Sequence, residues 1–120
     1  MANETSFTAS LTVSKGGATI DRSFSKSLDM TGAQMCNLTQ NVGTSAEAIT
    51  FGDISGAPEK LLIKNLDATN YVEIDSADTF DKFPQKLVAG DFILLSPQTG
   101  TIYAKANTAA VNILKLAVEA

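Results

Sequence analysis

Residues 7–14 read FTASLTVS and show the alternation that recurs along the chain. Serine and threonine alternate there with apolar or small side chains, which are Phe7, Ala9, Leu11 and Val13. Because successive side chains of a β-strand point to opposite faces, this period of two predicts a strand with one apolar face. The segment Lys15-Gly16-Gly17 that follows predicts a hairpin turn.

The same period recurs in the next segment, residues 18–30. Its apolar residues Ile20, Phe24 and Leu28 share one parity, and the other parity is serine, threonine and aspartate. Arg22 and Lys26 interrupt the apolar parity. We therefore expect an edge strand or a bulge at these two residues, with their aliphatic stems lying along apolar surface.

The second half of the chain repeats the pattern in shorter segments. A buried strand at residues 61–66 and a returning strand at residues 71–74 flank Asp67-Ala68-Thr69-Asn70, which has the composition of a tight Asx turn. Further strands are indicated at residues 92–95, 101–104 and 111–118. The full pattern predicts an all-β protein of about eight to nine short strands, arranged as an antiparallel sandwich or jelly-roll-like fold.

The length of 120 residues predicts one hydrophobic core. We expect a single β-sandwich domain over residues 7–120, preceded by a polar N-terminal arm over residues 1–6. The arm has no large apolar residue after its first methionine, so we predict that it binds a partner. Its residues are Met1, Ala2, Asn3, Glu4, Thr5 and Ser6.

The composition argues against several classes of function. The chain has no histidine and one cysteine, Cys36, so a Ser-His-Asp triad, a Cys-His pair and a His or multi-Cys zinc site are excluded. We interpret Cys36 as a small core residue. The formal net charge of −4 and the scattered lysines disfavour nucleic acid, and no apolar run reaches the length of a membrane span. The N-terminus shows no secretory signal pattern, so we expect synthesis in the cytoplasm.

Three groups of side chains remain as candidate sites. Asp75, Asp78 and Asp81 follow one another at three-residue intervals and are a weak calcium candidate, against the simpler interpretation of a solvated loop. The glutamates offer carboxylate pairs for a glycosidase, but none lies in a distinguishing motif. Tyr71 and Tyr103 offer a sugar-stacking platform. We expect no catalytic residue, no cofactor and no enzymatic activity.

Four segments resemble small virion structural proteins of tailed bacteriophages. They are LIKNLDATNYV at 62–72, LVAGD at 87–91, IYAKAN at 102–107 and TSAEAI at 44–49. The resemblance covers residues 44–118, leaves residues 1–43 unmatched and consists of a structural hairpin without a chemical motif.

This resemblance implies an architectural virion component. Among such roles we expect a capsid decoration or cement protein, which binds the outer surface of the phage head and bridges major capsid subunits. The implied partners are the major capsid protein and further copies of the chain, with a trimer expected. The alternatives are a neck, tail or fibre-associated adaptor and, from a different class, a lectin-like glycan-binding sandwich.

Overall fold

A computed structural model describes residues 4–30, 32–54 and 56–119. The chain divides into two compact units, Met1–Thr31 and Gly32–Ala120. The sequence predicts a boundary after Ser6 instead, and the structure corrects it, because Thr5 and Ser6 already lie in the first strand. Residues 5–28 pair with one another, and most of their apolar side chains stay exposed instead of entering a shared core.

The first unit is a long β-hairpin. Its strands are β1 (Thr5–Lys15) and β2 (Ala18–Leu28), each of 11 residues and paired antiparallel. Gly16 and Gly17 form the two-residue loop with φ of 60° and 85°, the left-handed conformation that a type I′ turn requires at both positions. Pairing continues without a bulge through Arg22 and Lys26, so these residues lie in a regular edge strand.

The second unit is an antiparallel sandwich of two four-stranded sheets. Among its described residues the strands are β3 (Met35–Val42), β4 (Glu47–Ala48), β5 (Lys60–Asn65), β6 (Val72–Asp75), β7 (Gln85–Leu87), β8 (Phe92–Leu95), β9 (Tyr103–Ala106) and β10 (Val111–Val118). One sheet has the order β3-β10-β5-β8 and the other β4-β9-β6-β7.

The strand pairs of the sandwich are nested. β3 pairs with β10, β4 with β9, β5 with β8 and β6 with β7, and successive pairs alternate between the two sheets. A long hairpin rolled up in this way is a jelly roll. The all-β antiparallel prediction is therefore confirmed, with ten strands in the described residues instead of eight or nine.

The core lies between the inner faces of the two sheets. The largest fully buried aliphatic side chains are Val42, Leu61, Ile63, Val72, Ile74, Val111 and Ile113. In β10 the alternation is strict, with every second residue buried. This packing of alternate residues from both sheets supplies the apolar burial that stabilises the unit.

A buried amide connects the two sheets at one end of the sandwich. Asn65, the last residue of β5, is fully buried and donates from Nδ2 to the carbonyl oxygens of Asn70 and Leu87, each at 2.9 Å. Its Oδ1 accepts from the backbone N–H of Asp67 at 2.8 Å. Both amide protons and the carbonyl oxygen therefore have partners, as a buried amide requires.

Candidate functional site

The hairpin has two chemically different faces, because directly paired residues of an antiparallel ribbon point to the same side. One face is polar and consists of Ser6, Thr8, Ser10, Thr12, Ser14, Thr19, Asp21, Ser23, Ser25 and Ser27. The other, called here the hairpin face, carries Thr5, Phe7, Ala9, Leu11, Val13, Ala18, Ile20, Phe24 and Leu28 with the cations Lys15, Arg22 and Lys26.

Most of the large apolar side chains of the hairpin face are exposed. The exposed fractions are 71% for Leu11, 71% for Phe24, 65% for Ile20 and 50% for Val13. Full burial of side chains of this size contributes about 1.5–3 kcal/mol each, and a two-stranded hairpin alone is only marginally stable in water. The hairpin face is therefore a surface that gains stability by packing against a partner.

The polar face of the hairpin satisfies some of its hydroxyl groups internally. Thr12 Oγ1 donates to Asp21 Oδ1 at 2.9 Å, and Thr19 Oγ1 donates to the hydroxyl of Ser14 at 3.2 Å. These cross-strand bonds hold the two strands in register from the solvent side. The polar face therefore forms hydrogen bonds within the hairpin, whereas the hairpin face exposes large apolar side chains.

The sandwich carries a second apolar surface, on the outer side of the sheet β3-β10-β5-β8. We call it the sheet outer face. Its apolar members are Met35, Leu62, Phe92, Leu94, Leu114, Leu116 and Val118, and its polar members are Asn37, Thr39, Asn41, Asn112, Lys60 and Lys64. Met35 is 68% exposed, Phe92 64% and Leu116 39%. An antiparallel sheet usually keeps its solvent side polar, so this mixed face carries more apolar side chains than a solvent side usually does.

The outer side of the other sheet is charged by comparison. Lys105 and Glu73 form an ion pair at 3.9 Å across β9 and β6. The Nζ of Lys86 lies 4.4 Å from the ring centroid of Tyr71, and that of Lys105 lies 4.6 Å from the centroid of Phe80. The sandwich is therefore asymmetric, with one apolar and one charged outer side.

The acidic loop that follows β6 is organised around Asp75, which is buried. Its carboxylate accepts from the backbone N–H groups of Ser76 at 2.7 Å, Lys82 at 3.0 Å and Phe83 at 3.0 Å. Burial raises the pKa of Asp75, but these three bonds and the charge of Lys82 outweigh it and lower the pKa below its usual value. Asp75 thus fixes the path of the loop.

The other two aspartates of the calcium candidate do not join Asp75. Asp78 and Asp81 are exposed, and Asp81 Oδ1 accepts from the hydroxyl of Thr79 at 2.6 Å. In the described part of the chain no group of three or more His, Cys, Asp or Glu side chains has a metal-binding arrangement. Phe80, which lies between them in the sequence, has a φ of 54° and a buried ring that contacts Lys105, so a loop that the sequence predicts to be solvated is anchored at this residue.

A lysine faces the core from β10. Lys115 is 3% exposed, and its Nζ donates to Thr50 Oγ1 at 2.7 Å and to Gln40 Oε1 at 2.9 Å. Burial lowers the pKa of Lys115, while the nearby thiol of Cys36 acts in the opposite direction. Cys36 is itself buried, which agrees with its prediction as a core residue. The two polar partners make this group a structural link between β10, β3 and the chain after β4.

A cleft of about 590 Å³ opens between β6 and the connection from β8 to β9. Its walls include Ile74, Leu95, Pro97 and Ile102. Among the described residues that line it, Asp75 is the one ionisable side chain, and its oxygens are occupied by backbone N–H groups. The cleft therefore presents a mainly apolar wall without a free acid or base.

The predicted N-terminal arm is only partly described. Met1, Ala2 and Asn3 lie outside the described residues. Glu4 Oε1 accepts from the backbone N–H of Met30 at 3.0 Å, and Thr5 and Ser6 pair with Leu28 and Ser27. The last three residues of the predicted arm thus form the base of the hairpin.

The remaining sequence candidates are dispersed. Tyr103 is opposite Asp75 in the sheet, whereas Tyr71 precedes the other end of β6, about 13 Å away along the strand, so the two rings do not form one stacking platform. Glu47 accepts from the Gln40 amide at 3.1 Å and from the Gly43 N–H at 3.0 Å. Glu119 accepts from Ala33 N–H at 3.1 Å. These glutamates stabilise local structure by accepting hydrogen bonds from nearby backbone and side-chain groups.

The sheet outer face is the surface that sequence reasoning missed. A signal exists in residues 111–118, where both parities of the alternation carry apolar residues: Val111 and Ile113 on one, Leu114 and Leu116 on the other. A strand that is apolar on both parities is typical of a sheet covered on both sides.

The chain thus consists of a β-hairpin with one apolar face and a jelly roll, and viral capsid and lectin domains are among the proteins built on jelly rolls. Comparisons with protein-family models, curated proteins and solved structures found no match for the chain. Among the described residues there is no helix long and apolar enough to cross a membrane.

Proposed function

We propose that the chain is a structural assembly protein of the capsid decoration or cement type, which binds the outer surface of a tailed-phage head and bridges major capsid subunits. The observation that carries this proposal is the hairpin, whose two 11-residue strands hold an exposed apolar face. A hairpin of this length extends about 37 Å, which is long enough to contact a neighbouring subunit in an assembly.

Three features support an architectural role. The jelly roll is an architecture found in viral capsid domains, although fold alone does not determine function. The ionisable groups with shifted pKa values, Asp67, Asp75 and Lys115, are committed to internal hydrogen bonds. The formal net charge of −4 suits a protein on the outside of a capsid better than one against packaged DNA.

The energetic reason for a decoration protein to use such arms is multivalency. A single hairpin contact is small, but identical contacts repeated over a capsid lattice add up, because each bound copy raises the local concentration of the next. The protein would be made in the host cytoplasm and would add to the head as a homo-oligomer, with a trimer as the expected form.

The test combines copy number with a variant of the hairpin face. In purified particles, mass spectrometry against the major capsid protein should give on the order of hundreds of copies, as a lattice requires. A count of about six or twelve contradicts the proposal and favours a neck or tail adaptor. The double variant Leu11→Thr, Phe24→Thr keeps strand-forming residues and should lose particle occupancy.

The matched control for this variant is Ser10→Thr, Ser23→Thr. These two residues are paired with each other on the polar face of the same hairpin, so the control changes the same strands at the same depth. It should bind particles as the parent does. Equal occupancy for the parent and the Leu11→Thr, Phe24→Thr variant would contradict the role of the hairpin face.

A further inference from the structure

We propose that the cleft between β6 and the connection from β8 to β9 binds a neutral sugar, with the ring of Phe83 as its stacking surface. The residues that line the cleft all belong to the sandwich and none to the hairpin. Sugar binding at this place is therefore a second activity, independent of the hairpin contacts that the proposed function requires. It uses neither Tyr71 nor Tyr103.

The cleft opens at one end of the sandwich, where several strands begin or end. Asp75 is the last residue of β6, Gln85 the first of β7 and Leu95 the last of β8, and all three line it. Its volume of about 590 Å³ lies within the roughly 300–1,000 Å³ of small-ligand sites. Because strand ends and loops form its walls, the cleft offers side chains and not the straight strand edge with which an extended peptide pairs.

An exposed aromatic ring stands at the cleft. Phe83 lines the cleft and is 77% exposed. The face of an aromatic ring carries the negative part of its quadrupole, so it attracts the polarised C–H groups that a pyranose presents along one side. Phe83 therefore supplies the stacking contact that a sugar ring requires.

The backbone that carries this ring is held in place on both sides. The carboxylate of Asp75 accepts from the backbone N–H groups of Lys82 and Phe83, each at 3.0 Å. Gln85 Nε2 donates to the carbonyl oxygens of Phe83 and Pro84, each at 3.3 Å. Pro84 also restricts the backbone of Phe83, the residue before it. A segment that is fixed before the ligand arrives loses little entropy on binding, so the ring is suited to act as a preformed contact surface.

The polar side chains of the cleft are hydroxyls and amides. They are Ser76, Gln85, Ser96, Gln98 and Thr99. Groups of this kind both donate and accept hydrogen bonds, as the hydroxyls of a sugar do. Ser96 Oγ accepts from Lys60 Nζ at 2.6 Å, which directs its own O–H away from the lysine and toward a ligand oxygen. The exposed amide of Gln98 offers both a donor and an acceptor.

The charge of the cleft favours a neutral ligand. Asp75 is the one ionisable side chain among the described residues that line it, and backbone N–H groups occupy its oxygens. An anion would meet this carboxylate, whereas a cation would find it already engaged. A pure hydrocarbon would bury the five hydroxyl and amide side chains without hydrogen-bond partners. Lys60 reaches the rim through Ser96, so an acidic sugar is the comparison that decides the charge of the ligand.

The experiment is an NMR titration of the full-length chain labelled with nitrogen-15. The neutral probes are methyl α-glucoside, methyl α-mannoside, methyl β-galactoside and N-acetylglucosamine. The comparison probes are N-acetylneuraminic acid for charge, cyclohexanol for an apolar ring and a proline-rich decapeptide. We expect at least one neutral sugar to bind with a Kd of about 1–10 mM, the range that ligand efficiency allows a molecule of about twelve heavy atoms. Its binding should move the amide signals of Ser76, Phe83 and Gln98.

Variants of the cleft give the second measurement. Phe83→Ala should weaken binding at least about tenfold, and Phe83→Tyr, which keeps the ring, should stay within about threefold of the parent. Gln98→Ala should weaken binding about threefold to tenfold, the loss of one hydrogen bond. The matched control is Phe92→Ala, which removes another exposed phenylalanine of the sandwich, 64% exposed and outside the cleft, and should bind as the parent does. Equal urea midpoints for the four variants and the parent establish that each is folded.

Three results would overturn the proposal: a Kd above about 50 mM for every neutral sugar, equal weakening by Phe83→Ala and Phe92→Ala, or tighter binding in the cleft by any comparison probe than by every neutral sugar. These outcomes differ from a failure of the proposed function. A chain that occupies phage heads through the hairpin face and ignores sugars refutes only the sugar site. A chain that binds a sugar at Phe83 and is absent from heads refutes only the capsid role.

Discussion

Replacing Asn65 by aspartate should remove about 3–5 kcal/mol from the free energy of unfolding of the sandwich at pH 7. The substitution keeps the shape of the side chain and exchanges its NH₂ group for an oxygen. The two carbonyl groups that accept from Nδ2, those of Asn70 and Leu87, then face an acceptor where they faced a donor. Each lost bond in a buried position costs about 1–3 kcal/mol, and the fully buried carboxylate adds to this.

The deficit of Asn65→Asp should shrink as the pH falls from 7 toward 4. Burial raises the pKa of the new carboxyl in the folded state above its unfolded value, so the folded state takes up a proton over this range and gains stability relative to the parent. Once protonated, the group donates one hydrogen bond to a neighbouring carbonyl, which restores part of what the amide supplied.

The assay is urea unfolding followed by tyrosine fluorescence. Both tyrosines of the chain, Tyr71 and Tyr103, belong to the sandwich, so the signal reports on this unit and not on the hairpin. The matched control is Asn41→Asp, because Asn41 bonds to Asn112 at 3.0 Å on the exposed side of the sheet and should lose at most about 0.5 kcal/mol. A deficit below about 1 kcal/mol for Asn65→Asp, or one equal to the control, would refute the role of Asn65 as the link between the sheets.

Three further predictions concern titration and the hairpin turn. Because the pKa of Asp75 is lowered in the folded state, its ionised carboxylate stabilises the sandwich above pH 3.8, and this contribution is lost as the pH falls through the folded pKa. Asp75→Asn should therefore flatten the fall of the unfolding free energy at acid pH, with Asp78→Asn as the control. For Lys115 the lowered pKa costs stability at neutral pH, so the free energy of unfolding rises as the pH increases from the folded pKa to 10.5. Lys115→Met should abolish this rise in urea unfolding at alkaline pH. An unchanged rise would contradict the burial of the ammonium group. Gly17→Ala should weaken the hairpin by about 1–2 kcal/mol, seen as faster amide exchange in β1, and Gly17→Asn should cost less because asparagine tolerates positive φ; equal exchange in both would argue against the I′ turn.

Much of the local structure is predictable because it depends on side chains close together in the chain. The alternation of residues 7–14 and the glycine pair at 16–17 predict both strands of the hairpin and its turn. The Asx turn at residues 67–70 is also confirmed, with Asp67 Oδ2 accepting from the N–H groups of Thr69 at 2.9 Å and Asn70 at 2.7 Å. Asn70 has a different role from the one its residue type suggests, since its side chain accepts from Thr108 at 2.8 Å.

The candidate site was harder to predict because it depends on which strands become neighbours. Residues 111–118 show apolar side chains on both parities, but this pattern alone does not tell which strands flank β10. Pairing with β3 and β5 brings Met35, Leu62 and Leu116 to one side and creates the sheet outer face. The same pairing turns Lys115 inward. There Gln40 and Thr50, which are 75 and 65 residues away in the chain, accept hydrogen bonds from its ammonium group.

The all-β class, the hairpin turn and the lack of imidazole chemistry are predictable from the sequence, because strand periodicity, turn composition and residue counts do not depend on contacts between distant segments. The division of the chain into a hairpin and a jelly roll, and the apolar side chains on the outer side of one sheet, emerge only from the folded chain. The physical reason is that burial depends on contacts between distant segments. An alternating apolar pattern is the same in the sequence whether its side chains are buried in a core or exposed on a surface.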